Sequence, residues 1–442
     1  MNKNIDTLII GNNITSFLTS SQILKSGHDA VYLKDQRIKS NDPYFKFYGP
    51  IDLAFIKTWI SDIDEESSIF KRSNFELAPF CLLVNSKRYE FASPRPYLNY
   101  SQVTRQFPNL HAQLQQILAS EQKEISDFEE DFLTAVSRLG ESLCRYKTIH
   151  QVSVATFKSA LPDYIYDCYS SFRREFKNNS ELQKLMSSLR CIYTQSIELT
   201  FSDLELIYFF IVLLSPRYRF IWSLALEAQA KDAIEKLGGV TLEDTIEEFS
   251  FSNARPWATQ LASYSGVVAP SKMAIFSSNV ERLGIGHDLS SVYGCIKLNY
   301  KMSDNLLSGE YYHFDAYSFG SDVAFIRKKI GGDGVCEVKV YSRFEDCFKV
   351  DFVQDMFHKL LIENEIIDSQ DVLLNCVAID EVCLLRNHGL LNARENVKLK
   401  FRTGSRGKLE SVKGVYYHGP LKKNNLGITQ TLLEARDYKT FV

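Results

Sequence analysis

The sequence predicts an α/β fold of two interleaved domains: a parallel sheet flanked by helices, and a mixed sheet joined to a helical region. Three observations predict it. Residues 5–35 read as strand, tight turn, helix and strand within about 30 residues, the pattern of a parallel βαβ crossover. Residues 100–236 carry apolar side chains at helical spacing. Beyond them the chain turns β-rich and closes on strand, glycine turn and helix. A length of 442 residues suits two domains better than one core.

The first strand is the apolar run 5–11, ending at Gly11; Ile14, Phe17, Leu18, Ile23 and Leu24 mark the helix, and 29–34 the second strand. Ile125, Phe128, Phe132, Val136, Leu139 and Leu143 recur at three and four residues, and similar faces recur in 180–193 and 203–236. Gly238-Gly239 ends the last of these helices as a C-terminal glycine cap. Strands are expected at 244–251, 258–268, 272–277, 292–301, 310–317, 322–329 and 335–342, the last two joined by the hairpin turn Gly331-Gly332-Asp333-Gly334. A helix over 351–366 precedes strands near 372–385 and 397–402, and the end reads as strand 414–418, Gly419-Pro420 and a helix from about 426 to 438.

Bulk composition narrows the function. With 45% apolar and 24% charged residues, a net charge of −3 and no basic block, the chain has no electrostatic footprint for nucleic acid. Nine scattered cysteines without a C-x-x-C pair read as reduced thiols in a cytoplasmic protein. The run Leu204–Leu214 is about half a bilayer span and stops at Pro216, Arg217 and Arg219, so no transmembrane segment is expected. The histidines show no ligand spacing, G-x-S-x-G is absent, and neither a metal nor a hydrolase triad is expected.

Three segments carry a family resemblance: IDTLIIGNNITSFLTSSQILKSGHDAVYLKD at the start, ALEAQAKDAIEKLGGVTLEDTIEEFSF with SYSGVVAPSKMAIFSS in the middle, and GVYYHGPLKKNNLGITQTLLEAR at the end. In order and spacing they resemble the superfamily of flavin amine oxidases, phytoene desaturases and GDP-dissociation inhibitors. The resemblance implies a Rossmann-type FAD-binding domain from residues 1–50, 225–290 and 395–442. It implies a substrate domain from 51–224 and 291–394, helical over 100–224 and β-rich over 291–394.

It also implies where FAD would sit. In such a fold the glycines of G-x-G-x-x-G let the backbone approach the pyrophosphate, and the helix N-terminus supplies N–H donors. Here that motif is degenerate: Gly11-Asn12-Asn13-Ile14-Thr15-Ser16 keeps the first glycine alone. Asn13 tolerates a left-handed backbone, yet its side chain intrudes on the phosphate; the competing reading is a plain strand-to-helix turn with Asn13 or Thr15 as N-cap. The ribose carboxylate aligns with Lys34; Asp35 follows it but alternation turns it to the other face. Bulky Pro216-Arg217-Tyr218-Arg219-Phe220 replaces a small-residue segment, and Gly419-Pro420 replaces a Gly-Asp. The residues nearest FAD would be Gly11, Asn12, Asn13, Ile14, Asp35, Gly419 and Gly427. Lys297, on the strand YGCIKLNY, matches the lysine that amine oxidases hold near flavin N5; otherwise it is the exposed residue of an alternating strand.

Two functions are therefore expected. One is an FAD-dependent oxidoreductase acting on a C–N or C–C bond of a small or apolar substrate. The other is a cofactor-free protein binding an apolar ligand or a protein partner on the same scaffold. The aromatics Tyr208, Phe209, Phe210, Tyr218, Phe220 and Trp222 line a cavity in the first reading and fill a core in the second.

Overall fold

The computed structural model describes residues 4–35, 47–63, 74–78, 80–84, 87–91, 93–146, 151–194, 200–221, 223–244, 246–251, 259–263, 266–276, 286–287, 293–303, 309–313, 323–342, 350–383, 399–403, 408–410, 415–418 and 426–437. The chain enters through β1 (Asn4–Gly11), α1 (Ile14–Lys25) and β2 (Ala30–Asp35), then α2 (Pro50–Ile63) and the short strands β3 (Phe75–Leu77), β4 (Phe80–Val84) and β5 (Lys87–Phe91). A helical stretch follows: α3 (Pro96–Thr104), α4 (Pro108–Ser120), α5 (Ile125–Leu143), α6 (Val154–Ala160), α7 (Asp163–Asn178), α8 (Ser180–Thr194) and α9 (Asp203–Leu214). Next come β6 (Tyr218–Phe220), α10 (Leu224–Lys236), β7 (Val240–Asp244), β8 (Ile246–Phe251), β9 (Thr259–Ser263) and β10 (Gly266–Phe276). The remainder is β11 (Gly286–His287), β12 (Tyr293–Lys301), β13 (Gly309–His313), β14 (Val323–Ile330), β15 (Val335–Ser342), α11 (Val350–Glu363), β16 (Val372–Cys383), β17 (Leu399–Thr403), β18 (Lys408–Glu410), β19 (Val415–His418) and α12 (Gly427–Arg436).

The first sheet runs β7-β2-β1-β10-β9-β8, with β19 also on β10. Its β7, β2, β1, β10 and β19 pair in parallel. Strand β10 changes partner along its length: Gly266–Val268 run antiparallel to β9, and Ala269–Phe276 run parallel to β1. Because β1 continues into β2 on one side and meets β10 on the other, strand order reverses between β1 and β10. In open α/β sheets that reversal leaves a crevice at the carboxyl ends of the strands, where nucleotides bind. The α/β class with a parallel sheet, helices and a second mixed sheet is thus the observed one.

The second sheet, β16-β12-β15-β14-β13-β4-β5, is antiparallel except for the pairing of β13 with β4. Alternation gives it two faces of different fate. Ile296, Leu298, Ile326, Val338 and Val340 form a separate core with Phe357 and Leu361 of α11. Phe80, Leu82 and Tyr312, on the opposite face, join the main core.

That main core is helical at its centre. Helix α5 buries Phe128, Phe132, Val136, Leu139 and Leu143, the stripe its 3.6-residue period predicts. Helix α9 is buried from Glu205 through Leu214, on every side, which is why its sequence is apolar without periodicity. Ser202 and Glu205 close its start as a reciprocal cap. Among the described residues no helix is long and apolar enough to cross a membrane. Gly238 takes φ +82°, and the Gly239 N–H returns to the Ile234 carbonyl at 2.9 Å, closing α10 as expected.

Candidate functional site: the crevice between β1 and β10

The turn after β1 brings Gly11, Asn12, Asn13 and Ile14 together at the crevice, and protein atoms bury all four; Asn12 and Asn13 are each 6% exposed. Asn13 is the N-cap of α1 in extended backbone. Its Oδ1 accepts the Ser16 N–H at 2.9 Å, while the Asn13 N–H donates to Ser16 Oγ at 3.2 Å. Its carboxamide nitrogen reaches across to the Phe276 carbonyl at the end of β10, a long contact of 3.5 Å. The side chain therefore spans the gap between β1 and β10. A Cβ on Gly11 would lie 2.5 Å from Ser16 Cβ, so this glycine serves the packing of the strand against its own helix.

Beside the turn, Tyr32 places its hydroxyl 3.4 Å from Ser16 Oγ, and burial pushes that phenol up beyond its ordinary range. Lys34 is bound to Glu227 of α10 at 2.6 Å, with both side chains largely covered. Asp35 is the last residue of β2, paired in the backbone register with Asp244.

A second group of polar side chains lies where α12 begins. Gly427 holds φ +57° and packs on Tyr193, whose carbonyl a Cβ there would meet at 3.4 Å. Thr429 donates to Asp52 Oδ1 at 2.5 Å, and its oxygen lies 3.1 Å from the Tyr208 hydroxyl. Asp52 Oδ2 also accepts the Gly49 N–H at 2.8 Å, so this carboxyl ties the start of α2 to α12, and Thr429 carries the link on to α9. Burial, opposed by these bonds, raises the Asp52 carboxyl to about 7. Asp52, Tyr193, Tyr208 and Ser215 line a cleft with room for about one water molecule.

Arg217 is buried beside this region. It donates to the Ser215 carbonyl at 2.8 Å and to the Val212 carbonyl, and its guanidinium stacks 4.6 Å from the Phe91 ring and 5.0 Å from Phe80. Burial holds it below the usual arginine range.

Of the residues expected near FAD, Gly419 lies outside the described residues, as do Pro420 and Trp222; of Asp35 only the backbone is described. Lys297 stands on the second sheet and pairs with Glu337 at 2.6 Å. Sequence reasoning missed Asp52, Thr429 and Tyr193. No local motif marks them, because Asp52 and Thr429 meet across 377 positions.

FAD does not fit these residues as they stand. A pyrophosphate needs the open N–H groups of the first turn, and Asn13 satisfies the Ser16 N–H and bridges the crevice. The strand position where the resemblance implies a ribose carboxylate holds Lys34, already paired to Glu227. At α12, Thr429 already donates to Asp52, and a side chain on Gly427 would meet the Tyr193 carbonyl.

Several solved structures are similar to the chain. An oxidoreductase from Methanosarcina mazei aligns over 99% of this chain and 100% of its own, at 11% identity and a TM-score of 0.48. A geranylgeranyl bacteriochlorophyll reductase-like protein from Thermoplasma acidophilum aligns over 99% and 77%, at 9% identity and a TM-score of 0.45. Glycine oxidase from Bacillus cereus aligns over 99% and 94%, at 9% identity and a TM-score of 0.36. No protein-family model matches the sequence. No curated protein matches it either. Likenesses this distant leave function to be read from the chain's own residues.

Proposed function

We propose that the chain is a binding protein built on the scaffold of a dinucleotide-dependent oxidoreductase, and that FAD is not its resident cofactor. The Asn13 carboxamide carries this reading. It occupies the crevice at the reversal of strand order and ties up a helix N-terminal donor that a phosphate would require. The domain from 1–50, 225–290 and 395–442 then serves as a rigid frame, and the domain from 51–224 and 291–394 carries the surface for an apolar ligand or a protein partner. Titration of FAD and of ADP into the protein, followed by calorimetry, tests it. No heat of binding is expected up to millimolar ligand, and a micromolar dissociation constant for either would overturn the proposal.

A second reading has one observation in its favour: the order β7-β2-β1-β10-β19 retains the crevice that FAD enzymes use. It would make the protein an FAD-dependent oxidoreductase acting on a C–N or C–C bond, with Lys297 on its substrate side. Flavin tightly bound to the purified protein would select it.

A further inference from the structure

The face of the second sheet that packs on α11 is apolar, yet two basic side chains are set into it. Alternation along β14 puts Lys328 between Ile326 and Ile330, on the covered face. On the neighbouring strand β13, Tyr311 stands directly opposite Lys328 and His313 opposite Ile326. His313 and Lys328 are therefore diagonal neighbours on one face of the sheet. Both are buried, Lys328 at 8% exposure and His313 at 7%. The Lys328 amine donates to the carbonyl of Ile366, just beyond α11, at 2.5 Å. The His313 Nε2 has no hydrogen-bond partner among the described residues, a state in which buried polar atoms are rarely left.

The surroundings act on both groups in the same direction. Burial, then the charge of Lys328, pushes the His313 imidazole down to about 3, so the ring is neutral at neutral pH. Burial also lowers the Lys328 amine below the ordinary lysine range. Cys336 and Asp371 pull the other way. Burial pushes the Cys336 thiol up to about 11, so it carries no charge at neutral pH. The two oxygens of Asp371 are already engaged by Ser303 and the Asp368 N–H. A lysine whose ammonium is disfavoured in this way keeps more of its amine in the nucleophilic form.

We propose that Lys328 and His313 form a covalent site for a short aliphatic aldehyde, with Lys328 as the amine and His313 as hydrogen-bond partner of the intermediate. The Lys328 Nζ adds to the aldehyde carbon, and one amine proton moves to the former carbonyl oxygen. The vacant His313 Nε2 then meets the hydroxyl of this carbinolamine. Loss of the hydroxyl with the second amine proton releases water and leaves a C=N bond, with no oxidant or reductant consumed. The imine is uncharged, so apolar surroundings suit it better than the ammonium it replaces. Ile326 and Ile330, on either side along β14, border the alkyl chain. The site is confined to the second sheet and stands whether or not the first sheet holds a nucleotide.

Incubation of the folded protein with acetaldehyde and cyanoborohydride, which traps each imine as an ethyl amine, tests the proposal when every lysine is followed by mass spectrometry. Lys329 is the internal reference: it is the next residue, exposed, and on the opposite face. At neutral pH Lys328 is expected to be alkylated about tenfold faster than Lys329 despite its burial, and to hold its rate to a lower pH. In urea the two rates should converge. His313→Phe is expected to slow Lys328 about tenfold while leaving Lys329 unchanged, as loss of the partner at the carbinolamine requires. Lys329 reacting as fast as Lys328 in the folded protein, the same pH dependence at both lysines, or an unchanged Lys328 rate in His313→Phe would each overturn the site. The comparison of the two lysines needs no variant, so it decides the matter even if His313→Phe does not fold.

Discussion

Asp52 shows how one buried group can govern response to pH. Its carboxyl titrates near 7 in the folded chain against the ordinary 3.8. Between those values the folded state holds a proton that the unfolded state has lost. Stability from this group is therefore complete below about pH 4, falls as pH rises, and levels off above about pH 7, a swing on the order of 4 kcal/mol at most. Asp52→Asn should remove that decline, so the difference in urea midpoint between variant and parent should grow from pH 4 to pH 8. A constant difference would remove Asp52 from the account. Gly11 makes a separate case. Ser16 already fills the space of its missing side chain, so Gly11→Ala should cost about 1–3 kcal/mol by overpacking, read as a lower denaturant midpoint. In sequence Gly11 is indistinguishable from a phosphate-binding glycine; only the position of Ser16 separates the two roles.

At the scale of elements, α1 is the decisive one. Asn13 as N-cap is legible locally, since asparagine before an apolar-periodic run is a helix start. That the same side chain bridges to Phe276 is not legible, because the partner lies 263 residues away. Asn13→Ala should lose about 1 kcal/mol through the cap, whereas Asn13→Gly should lose only tenths, because glycine is itself an acceptable cap. Asn13→Gly should also free the Ser16 N–H and give measurable ADP binding by calorimetry where the parent has none. Equal silence in both proteins would mean that Asn13 is not what closes the crevice. Other elements divide in the same way. The hairpin of β14 and β15 reads directly from alternation and Gly331–Gly334, with Gly334 at φ +74°. The strand β10 does not: Pro270 and Ser271 suggest a break between two strands, but the structure runs one strand through them, exchanging β9 for β1 as partner at that point. The pairing of β3 with β6, three residues each, left no periodic trace to read.

For the whole molecule, the fold follows from features the sequence displays. The βαβ entry, the helical middle, the β-rich return and the terminal strand and helix all occupy the expected stretches, because each rests on local periodicity and glycine placement. The site is less legible because it is assembled by long-range contacts. Lys34 meets Glu227, Thr429 meets Asp52, and Arg217 stacks on Phe80 and Phe91, each across more than a hundred positions of sequence. In the proposed function these contacts take, with the chain's own side chains, the places where the resemblance implies a flavin. The most direct test of that claim is the visible absorbance of the protein after incubation with excess FAD and removal of free ligand by gel filtration. A colourless protein, with no flavin released on heating, is expected. Flavin bands at near-stoichiometric amount would contradict it, and would mean that Asn13 and Lys34 move aside for the cofactor.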